Sequence, residues 1–185
     1  MAPDERALVQ RAQAGDEEAF AMLVRRYQGP IFRTCRRYLS TGDAEDAAQE
    51  TFVRTFVHLG KIDPERPLLP WLVTVARRLC LDRLRKMKPD LKETSEVESE
   101  AATAENVVTA REDLRLIARG LADLKPNQRE ALLLFHLEGM TYAGIAEALG
   151  VPMGTVMTLL FRGREQLKSM LAAAHTPVAD KEARS

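Results

Sequence analysis

The run of residues from Thr141 to Phe161 has the spacing of a helix-turn-helix, and no other segment limits the choice of fold as strongly. Gly150 supplies a permissive backbone for the turn, and Ala146 is a small residue where two helices would cross closely. Five apolar residues at helical spacing would hold the two helices at a steep angle: Ile145, Leu149, Val151, Val156 and Leu160. A second helix held in this way can enter the major groove of DNA, although a helical hairpin that touches no nucleic acid has the same pattern.

The composition favours an all-helical protein. Of the 185 residues, 45% are hydrophobic but only 5% are aromatic, and no segment alternates as a strand would. Cys35 and Cys80 lie far apart without a CxxC motif or a nearby His pair, so we expect two buried free thiols and no metal site. The chain has no apolar signal core and no apolar run of membrane-spanning length, which predicts a soluble cytoplasmic protein without membrane insertion.

The net charge is zero, but the charges are unevenly distributed. Residues 1–88 carry sixteen bases and twelve acids, whereas residues 89–112 carry two bases and seven acids. The acidic segment has little apolar periodicity, which is typical of a solvated linker. We therefore predict an all-α protein with two small helical domains, at residues 1–88 and 113–175. A flexible acidic linker at 89–112 would join them, and a frayed tail would follow at 176–185.

Helix signals in the first domain predict three helices before residue 60. Asp16 is the expected cap of the first, and Pro30 is expected to restart the chain as a second helix. Asp43 is the expected N-cap of the third helix, which would run to about Leu59. Its buried side would be formed by four residues: Ala48, Phe52, Phe56 and Leu59.

The start of this third helix is rich in acids. Asp43, Glu45 and Asp46 lie in or near the first turn, where the helix dipole favours negative charge. Glu50 lies beyond that turn, so the dipole does not account for it. A face that docks on another protein is the alternative interpretation.

A basic segment follows. Residues 61–70 contain three prolines and are expected to form a loop, and a helix is expected from Trp71 to about Met87. Its inward stripe would be formed by five residues: Leu72, Val75, Ala76, Leu79 and Leu84. Six bases oppose Asp82 on and just beyond this helix: Arg77, Arg78, Arg83, Arg85, Lys86 and Lys88. Such a helix beside a stiff loop suits a polyanion, although an ordinary solvated face is the alternative.

Taken together, these segments resemble the bacterial extracytoplasmic-function (ECF, group 4) sigma factors of the sigma-70 family. The stretches at 43–52, 71–72 and 76–85 look like sigma region 2, a helical bundle. The stretches at 124–134 and 145–156 look like sigma region 4, which contains a helix-turn-helix. The resemblance covers nearly the whole chain in the family's order, so it is far more specific than a lone helix-turn-helix.

The resemblance implies a non-catalytic subunit without a cofactor that binds RNA polymerase core and directs promoter recognition and transcription initiation. It also implies an anti-sigma factor that holds the protein until a signal arrives. The implied core polymerase-binding residues are Asp46, Gln49 and Glu50. The implied contacts to the minus-ten element are Lys61, Arg66, Arg77, Arg78, Arg83 and Arg85. The implied contacts to the minus-thirty-five element are Thr155, Met157, Thr158, Phe161, Arg162 and Arg164.

The sequence departs from the family pattern on the second helix of the helix-turn-helix. Met157 and Leu159 stand where the family usually has cations, and the remaining side chains can contact thymine methyl groups but offer few charge-assisted contacts. Two other functions therefore stay open: a sigma-like interaction module or decoy, and a free-standing helix-turn-helix regulator that binds DNA without polymerase. In the loop, the apolar residues 68–70 are expected to be exposed and to offer a partner surface.

An enzyme is not expected. His58, His136 and His175 are isolated in the sequence, and no nucleophile–base pair or metal-ligand spacing occurs.

Overall fold

The computed structural model describes residues 3–87 and 110–175, and every regular element in these two segments is helical. The predicted linker up to residue 109 and the predicted tail at 176–185 lie outside the described residues. A single 3-10 turn (Leu59–Lys61) follows the third helix. The helices are α1 (Pro3–Gln13), α2 (Glu17–Arg36), α3 (Thr41–His58), α4 (Leu68–Met87), α5 (Ala110–Ala122), α6 (Pro126–His136), α7 (Tyr142–Leu149) and α8 (Met153–His175).

Helices α1 to α4 form the N-terminal half, in which α2 contacts the three others. Its core contains Leu23 and Ile31 of α2 and Leu68, Leu72 and Val73 of α4, all almost completely buried. Burying each such side chain contributes about 1.5–3 kcal/mol. Cys35 and Cys80 are both free and buried in this half, as the sequence predicts.

Helix α2 begins where the sequence predicts but does not break at the proline. The Asp16 carboxylate accepts a hydrogen bond from the Ala19 amide at 3.0 Å, and this bond lowers the pKa of Asp16. Pro30 lies inside one continuous helix, so the prediction of a restart there is wrong. Tyr27 and Ile31 are buried on either side of the proline, and this packing outweighs the one backbone hydrogen bond that proline removes.

Helices α3 and α4 both begin earlier than predicted. Ser40, not Asp43, is the N-cap of α3, because its side chain accepts from the Asp43 amide at 3.4 Å. Helix α4 begins at Leu68, three residues before the predicted start. Leu68 and Pro70 are buried there and Leu69 is half-buried, so the predicted exposed apolar surface at 68–70 is wrong. The first turn of α4 tolerates Pro70 because the amide that proline lacks has no partner within the helix there.

The buried side of α3 consists of small residues. Ala44, Ala47, Ala48, Thr51 and Thr55 form it, with Ala48 buried as predicted, and both threonine hydroxyls donate to the carbonyls four residues earlier, at 2.8 and 2.7 Å. Phe56 is 57% exposed, so its predicted core position is wrong. Close packing of α3 on its neighbours favours the narrow alanine–threonine stripe over the aromatic one.

The inward stripe predicted for α4 is partly right. Leu72, Ala76 and Leu79 are buried, whereas Val75 and Leu84 are only half-buried. Val73 and Cys80 take buried positions beside them, because α4 is covered on more than one side.

Helices α5 to α8 form the C-terminal half, and α7 and α8 are the predicted helix-turn-helix. Thr141 caps α7 by accepting from the Gly144 amide at 3.1 Å. Gly150 ends α7 in the left-handed conformation, with φ of 67°, and the Val151 amide donates to the Ala146 carbonyl at 3.0 Å. The two helix axes differ by 102°, within the range of the motif.

The predicted inner residues hold this angle. Ile145 and Val156 are fully buried, and Leu149 and Leu160 are nearly so. Within the described residues no single helix is both long enough and apolar enough to cross a membrane. Only α7 and α8 taken together have that length and apolar character, and they are bent by 102° at the turn.

The two halves pack against each other through α4 and α7. One continuous hydrophobic cluster runs from Leu72 and Ala76 of the first half to Ile145 and Ala148 of the second. A Cβ atom on Gly144 of α7 would lie 3.0 Å from Cγ of Pro70, so glycine permits this close approach.

Candidate functional surfaces

The exposed face of α3 joins acidic and apolar side chains. Asp46 and Gln49 are exposed near its start, and Val53 and Val57 follow on the same face, 63% and 70% exposed. Phe56 borders them, and its ring meets that of Phe20 edge-on at 5.1 Å. An exposed apolar strip beside charged residues is typical of a surface that packs on another protein.

Glu50 is held by two arginines, unlike its exposed neighbours. Its carboxylate pairs with Arg54 at 2.6 Å and with Arg83 of α4 at 3.0 Å. Burial acts to raise the pKa of Glu50, but the hydrogen bonds from the two guanidinium groups outweigh it, and the net shift is downward. Glu50 therefore joins α3 to α4, while Asp46 and Gln49 face solvent.

The predicted minus-ten bases fall into three structural groups. Arg78, Arg85 and Lys61 are exposed, the last on the 3-10 turn. Arg83 donates to the Asp43 carbonyl at 2.9 Å as well as to Glu50, so it faces α3. The remaining two bases, Arg66 and Arg77, pair with carboxylates of the C-terminal half.

Arg77 meets a buried carboxylate. Its Nε atom lies 3.7 Å from Glu130 of α6, and the Tyr38 hydroxyl donates to the same carboxylate. Burial, followed by the charge of Glu130, raises the pKa of Tyr38 well above its usual value, so the phenol stays protonated and donates.

A cleft between α4 and α7 lies beside this contact. Thr74, Arg77, Arg78, Leu81, Asp82, Arg85, Glu147, Ala148 and Gly150 line it. Three arginines against two acids make the cleft basic, which is the charge that a nucleic acid backbone requires.

The pairs between the halves were not predicted from the sequence. Arg33 donates to both carboxylate oxygens of Glu138, from Nε at 3.0 Å and from Nη2 at 2.7 Å, across 105 residues of sequence. Arg66 pairs with Glu147 at 2.6 Å across 81 residues. Ion pairs at such separations leave no periodic signal, because periodicity reports only on neighbours within one element.

The predicted minus-thirty-five residues of α8 are all exposed: Thr155, Met157, Thr158, Phe161, Arg162 and Arg164. Met153 extends their apolar part, so that three large apolar side chains are more than half exposed along the first two turns. Arg164 lies over the Phe135 ring of α6, 5.0 Å from its centre, and the Thr158 hydroxyl donates to the Gly154 carbonyl at 3.0 Å. The face of α8 is therefore more apolar than charged.

Comparison with known protein families gives two matches, one in each half of the chain. Residues 23–89 match Sigma-70 region 2, and residues 114–167 match Sigma-70, region 4. The first match runs from within α2 to the end of α4, and the second runs from within α5 through α6 and α7 into α8.

Two curated relatives match over most of their length. The ECF RNA polymerase sigma factor SigW of Bacillus subtilis (strain 168) is 32% identical over 176 residues, which cover 88% of this chain and 94% of that protein. The ECF RNA polymerase sigma-E factor of Escherichia coli (strain K12) is 29% identical over 175 residues, which cover 88% and 92%.

Two solved structures have a similar fold. The structure of CnrH in complex with the cytosolic domain of CnrY gives a TM-score of 0.66 at 26% identity, covering 92% of this chain and 98% of that one. The sigma factor RpoE in complex with the anti-sigma factor NepR from Bartonella quintana gives 0.67 at 23% identity, covering 83% and 96%, and this likeness supports the fold alone.

The helix-turn-helix, the α2–α4 bundle and the relatives matched over most of their length agree, and they confirm the resemblance found in the sequence. The chain belongs to the ECF sigma factors of the sigma-70 family, the non-enzymatic subunits that bind RNA polymerase core and direct it to promoters.

Proposed function

We propose that the exposed face of α3 is the surface that binds RNA polymerase core. Asp46 and Gln49 would provide its polar contacts, and Val53 and Val57 its apolar ones. Glu50 would act from behind this face by holding α3 against α4 through Arg83. The observation that carries the proposal is one continuous exposed helix face that begins with carboxylate and amide groups and ends with exposed valines.

A matched pair of charge reversals tests this surface. Asp46→Arg changes a residue of the face, while Glu45→Arg changes an exposed residue on the same turn, about 100° around the helix. We expect the first variant to lose core binding at least tenfold and the second to keep it, measured by fluorescence anisotropy with purified core. Equal losses in both variants would mean that net charge, and not this face, determines binding.

The basic side of α4 and the segment before it would hold the minus-ten element. Lys61, Arg78 and Arg85 are exposed there, and Arg66 and Arg77 lie on the same side of the half. These bases would neutralise the phosphates of a separated strand. Arg83, which faces α3, would support this surface by holding α4 in place.

The exposed side of α8 would read the minus-thirty-five element as duplex DNA. Thr155, Met157, Thr158 and Phe161 offer methyl and other apolar groups that suit thymine methyls, and Arg162 and Arg164 provide cations. This chemistry predicts an upstream element rich in A·T pairs. In vitro transcription with core polymerase and a randomised promoter library tests both the activity and this preference.

The protein would act in the cytoplasm, where the polymerase and its promoters are. An anti-sigma factor would hold it inactive until a signal arrives. Two proteins of similar fold, CnrH and RpoE, were solved while bound to a second protein, which for RpoE is an anti-sigma factor. Affinity capture of the full chain from its own cells, followed by identification of stoichiometric partners, tests this part of the proposal.

A sigma-like interaction module is the second candidate function, and one observation favours it. Met153, Met157 and Phe161 are each more than half exposed on the helix that would read DNA. A module of this kind would bind core polymerase but support no initiation at any sequence in the library. A free-standing regulator would instead shift duplex DNA in a gel without polymerase.

A further inference from the structure

Helix α1 holds the segment that joins α3 to α4, residues 59–67, which we call the connecting segment. The Gln13 side-chain amide donates to two of its carbonyls, that of Leu59 at 3.0 Å and that of Ile62 at 2.7 Å. A primary amide has two N–H groups, so both donors of Gln13 are used, on residues 46 and 49 positions away in the sequence. The first end of the connecting segment is therefore fixed by a distant helix.

Glu5 of the same helix holds the other end. Its carboxylate accepts a hydrogen bond from the Leu68 amide at 2.7 Å, across 63 residues of sequence. Leu68 is the first residue of α4, and the first amides of a helix have no partner within it. Glu5 therefore caps α4 from another element, where the helix dipole also favours its negative charge.

The two polar residues lie on the buried face of α1. Glu5, Leu8, Val9, Ala12 and Gln13 recur at the spacing of one helix face. The three apolar members are buried in the core, and Glu5 is only 6% exposed. A carboxylate and an amide turned inward at the two ends of an apolar stripe have a structural task, because solvated residues would lie on the opposite face.

Between its two fixed ends, the connecting segment turns polar side chains outward. Ile62 is buried, whereas Lys61, Glu65 and Arg66 are exposed. Asp63 closes a turn at the centre: its side chain accepts from the Glu65 amide at 2.9 Å, and its carbonyl accepts from the Arg66 amide at 3.1 Å. The exposed side chains thus project from a backbone that is held at both ends and in the middle.

A third side chain of α1 acts on the charge of the connecting segment. Arg6 pairs with Glu65 at 2.6 Å. Both side chains are about half exposed, so the pair contributes little to stability. It neutralises an acid that would otherwise repel a phosphate beside Arg66.

We propose that Gln13 and Glu5 are positioning residues for the minus-ten element: they fix the connecting segment so that its exposed side chains meet a separated strand in one geometry. The inference rests on the minus-ten function proposed above for this segment. A segment that is ordered before binding loses less conformational entropy on binding, and it cannot adapt to several bases. The region 2 match begins at residue 23, so α1 lies before it.

Two glutamines of α1 give a matched test of the support itself. Gln13→Met removes both donors at nearly constant length and charge, and Gln10→Met makes the same change at an exposed position of the same helix. Amide hydrogen exchange of the full chain, followed by mass spectrometry, should become about tenfold faster in peptides of residues 59–68 in the first variant only. Unchanged exchange there would overturn the proposal, and so would an equal acceleration in peptides of α6, which would mean general destabilisation.

The randomised promoter library tests the consequence for base selection. With core polymerase, Gln13→Met should lower the preference for the best base over the second best in the minus-ten element about tenfold. The preference in the minus-thirty-five element should stay unchanged, because the other half would read it. Gln10→Met should keep both preferences. An unchanged minus-ten preference in Gln13→Met, or equal losses in both elements, would contradict the positioning role.

Glu5 is tested through its acceptor oxygen. Glu5→Gln keeps an oxygen that can accept from the Leu68 amide, whereas Glu5→Met has none. We expect the first variant to retain the minus-ten preference and the second to lose it about tenfold, with urea denaturation showing that both are folded. A wild-type preference in Glu5→Met would remove Glu5 from the positioning residues.

Failure of this inference and failure of the proposed function give different results. A wild-type protein that initiates without any base preference in the minus-ten element contradicts the proposed function, while hydrogen exchange still decides whether α1 holds the connecting segment. A normal wild-type preference that Gln13→Met leaves intact contradicts only the positioning role.

Discussion

The two candidate DNA surfaces differ in the chemistry that they present. The side of α4 is crowded with arginines, several of them already paired with carboxylates of this same chain. The side of α8 presents methionine, phenylalanine and threonine with few cations. A surface of the first kind binds through charge and depends strongly on salt, whereas one of the second kind depends on fit and on base-edge contacts.

The difference also concerns what each surface does in the free protein. The basic surface is partly covered by the C-terminal half, while the apolar one faces solvent. We therefore expect the minus-ten contacts to depend more strongly on salt, and the minus-thirty-five contacts to set the sequence preference.

The largest expected effect comes from removing charge near α4. Changing Arg66, Arg78 and Arg85 together to Gln should weaken single-strand binding by the holoenzyme about a hundredfold at 0.1 M salt and flatten the log–log salt slope by about 2. Titrations at several salt concentrations measure both quantities. The control changes Arg6, Arg11 and Arg25, exposed arginines of α1 and α2, to Gln. An unchanged salt slope in the first variant would contradict the claim that the α4 surface binds through charge.

The next largest effect is expected at two glycines of the helix-turn-helix, where a substitution changes the stability of the motif and not the chemistry of its exposed side. Gly150→Ala should lower the free energy of unfolding by about 1–2 kcal/mol, since φ of 67° is unfavourable for a residue with a Cβ atom. Gly154→Ala should raise it by up to about 0.5 kcal/mol, because that glycine lies in the first turn of α8, where alanine is the better helix former. Neither position has another atom within 4 Å of the new Cβ, so urea denaturation of the pair compares backbone conformation alone.

Adding charge to α8 should make its surface resemble that of α4. Met157→Arg is expected to strengthen duplex binding about eightfold at 0.1 M salt and to steepen the slope by about 0.9, the contribution of one phosphate contact. Ser169→Arg adds the same charge three turns further along the helix and should have little effect. If both variants gain equally, long-range attraction and not the proposed groove contact is responsible.

The smallest expected effect concerns Glu50, which supports the basic surface without belonging to it. Its folded-state pKa is lowered, so its stabilising contribution is present at neutral pH and is lost as the pH falls through the titration range of the carboxylate. Because the group is about a third exposed, Glu50→Gln should cost only about 0.5 kcal/mol at pH 7. Urea denaturation should show this difference disappearing in acid, and a difference that grows in acid would contradict the sign.

Local signals in the sequence predicted the elements well where the chain alone decides them. Asp16 and Gly150 cap or end helices through contacts within a few residues, so their residue types are sufficient. The predictions for Pro30 and Phe56 were wrong because tertiary packing outweighs local preference at both positions. Pro30 lies within a helix that is buried before and after it. Thr51 and Thr55 lie in the core of α3, whereas Phe56 is exposed. Ser40 and Asp43 are both residue types that cap helices well, and the start of α3 at Thr41 makes Ser40 the cap.

The sequence by itself determined the all-helical class, the helix-turn-helix, the basic first domain with its acidic linker, and the resemblance to ECF sigma factors. All of these depend on residue type and on spacing along the chain. Only the tertiary structure decided which bases face solvent, that Arg83 supports α3, and that Glu130, Glu138 and Glu147 meet arginines far away in the chain. The physical reason is range. Helix caps and periodic faces are set by neighbours along the chain, whereas an ion pair between two halves exists only after both have folded and packed together.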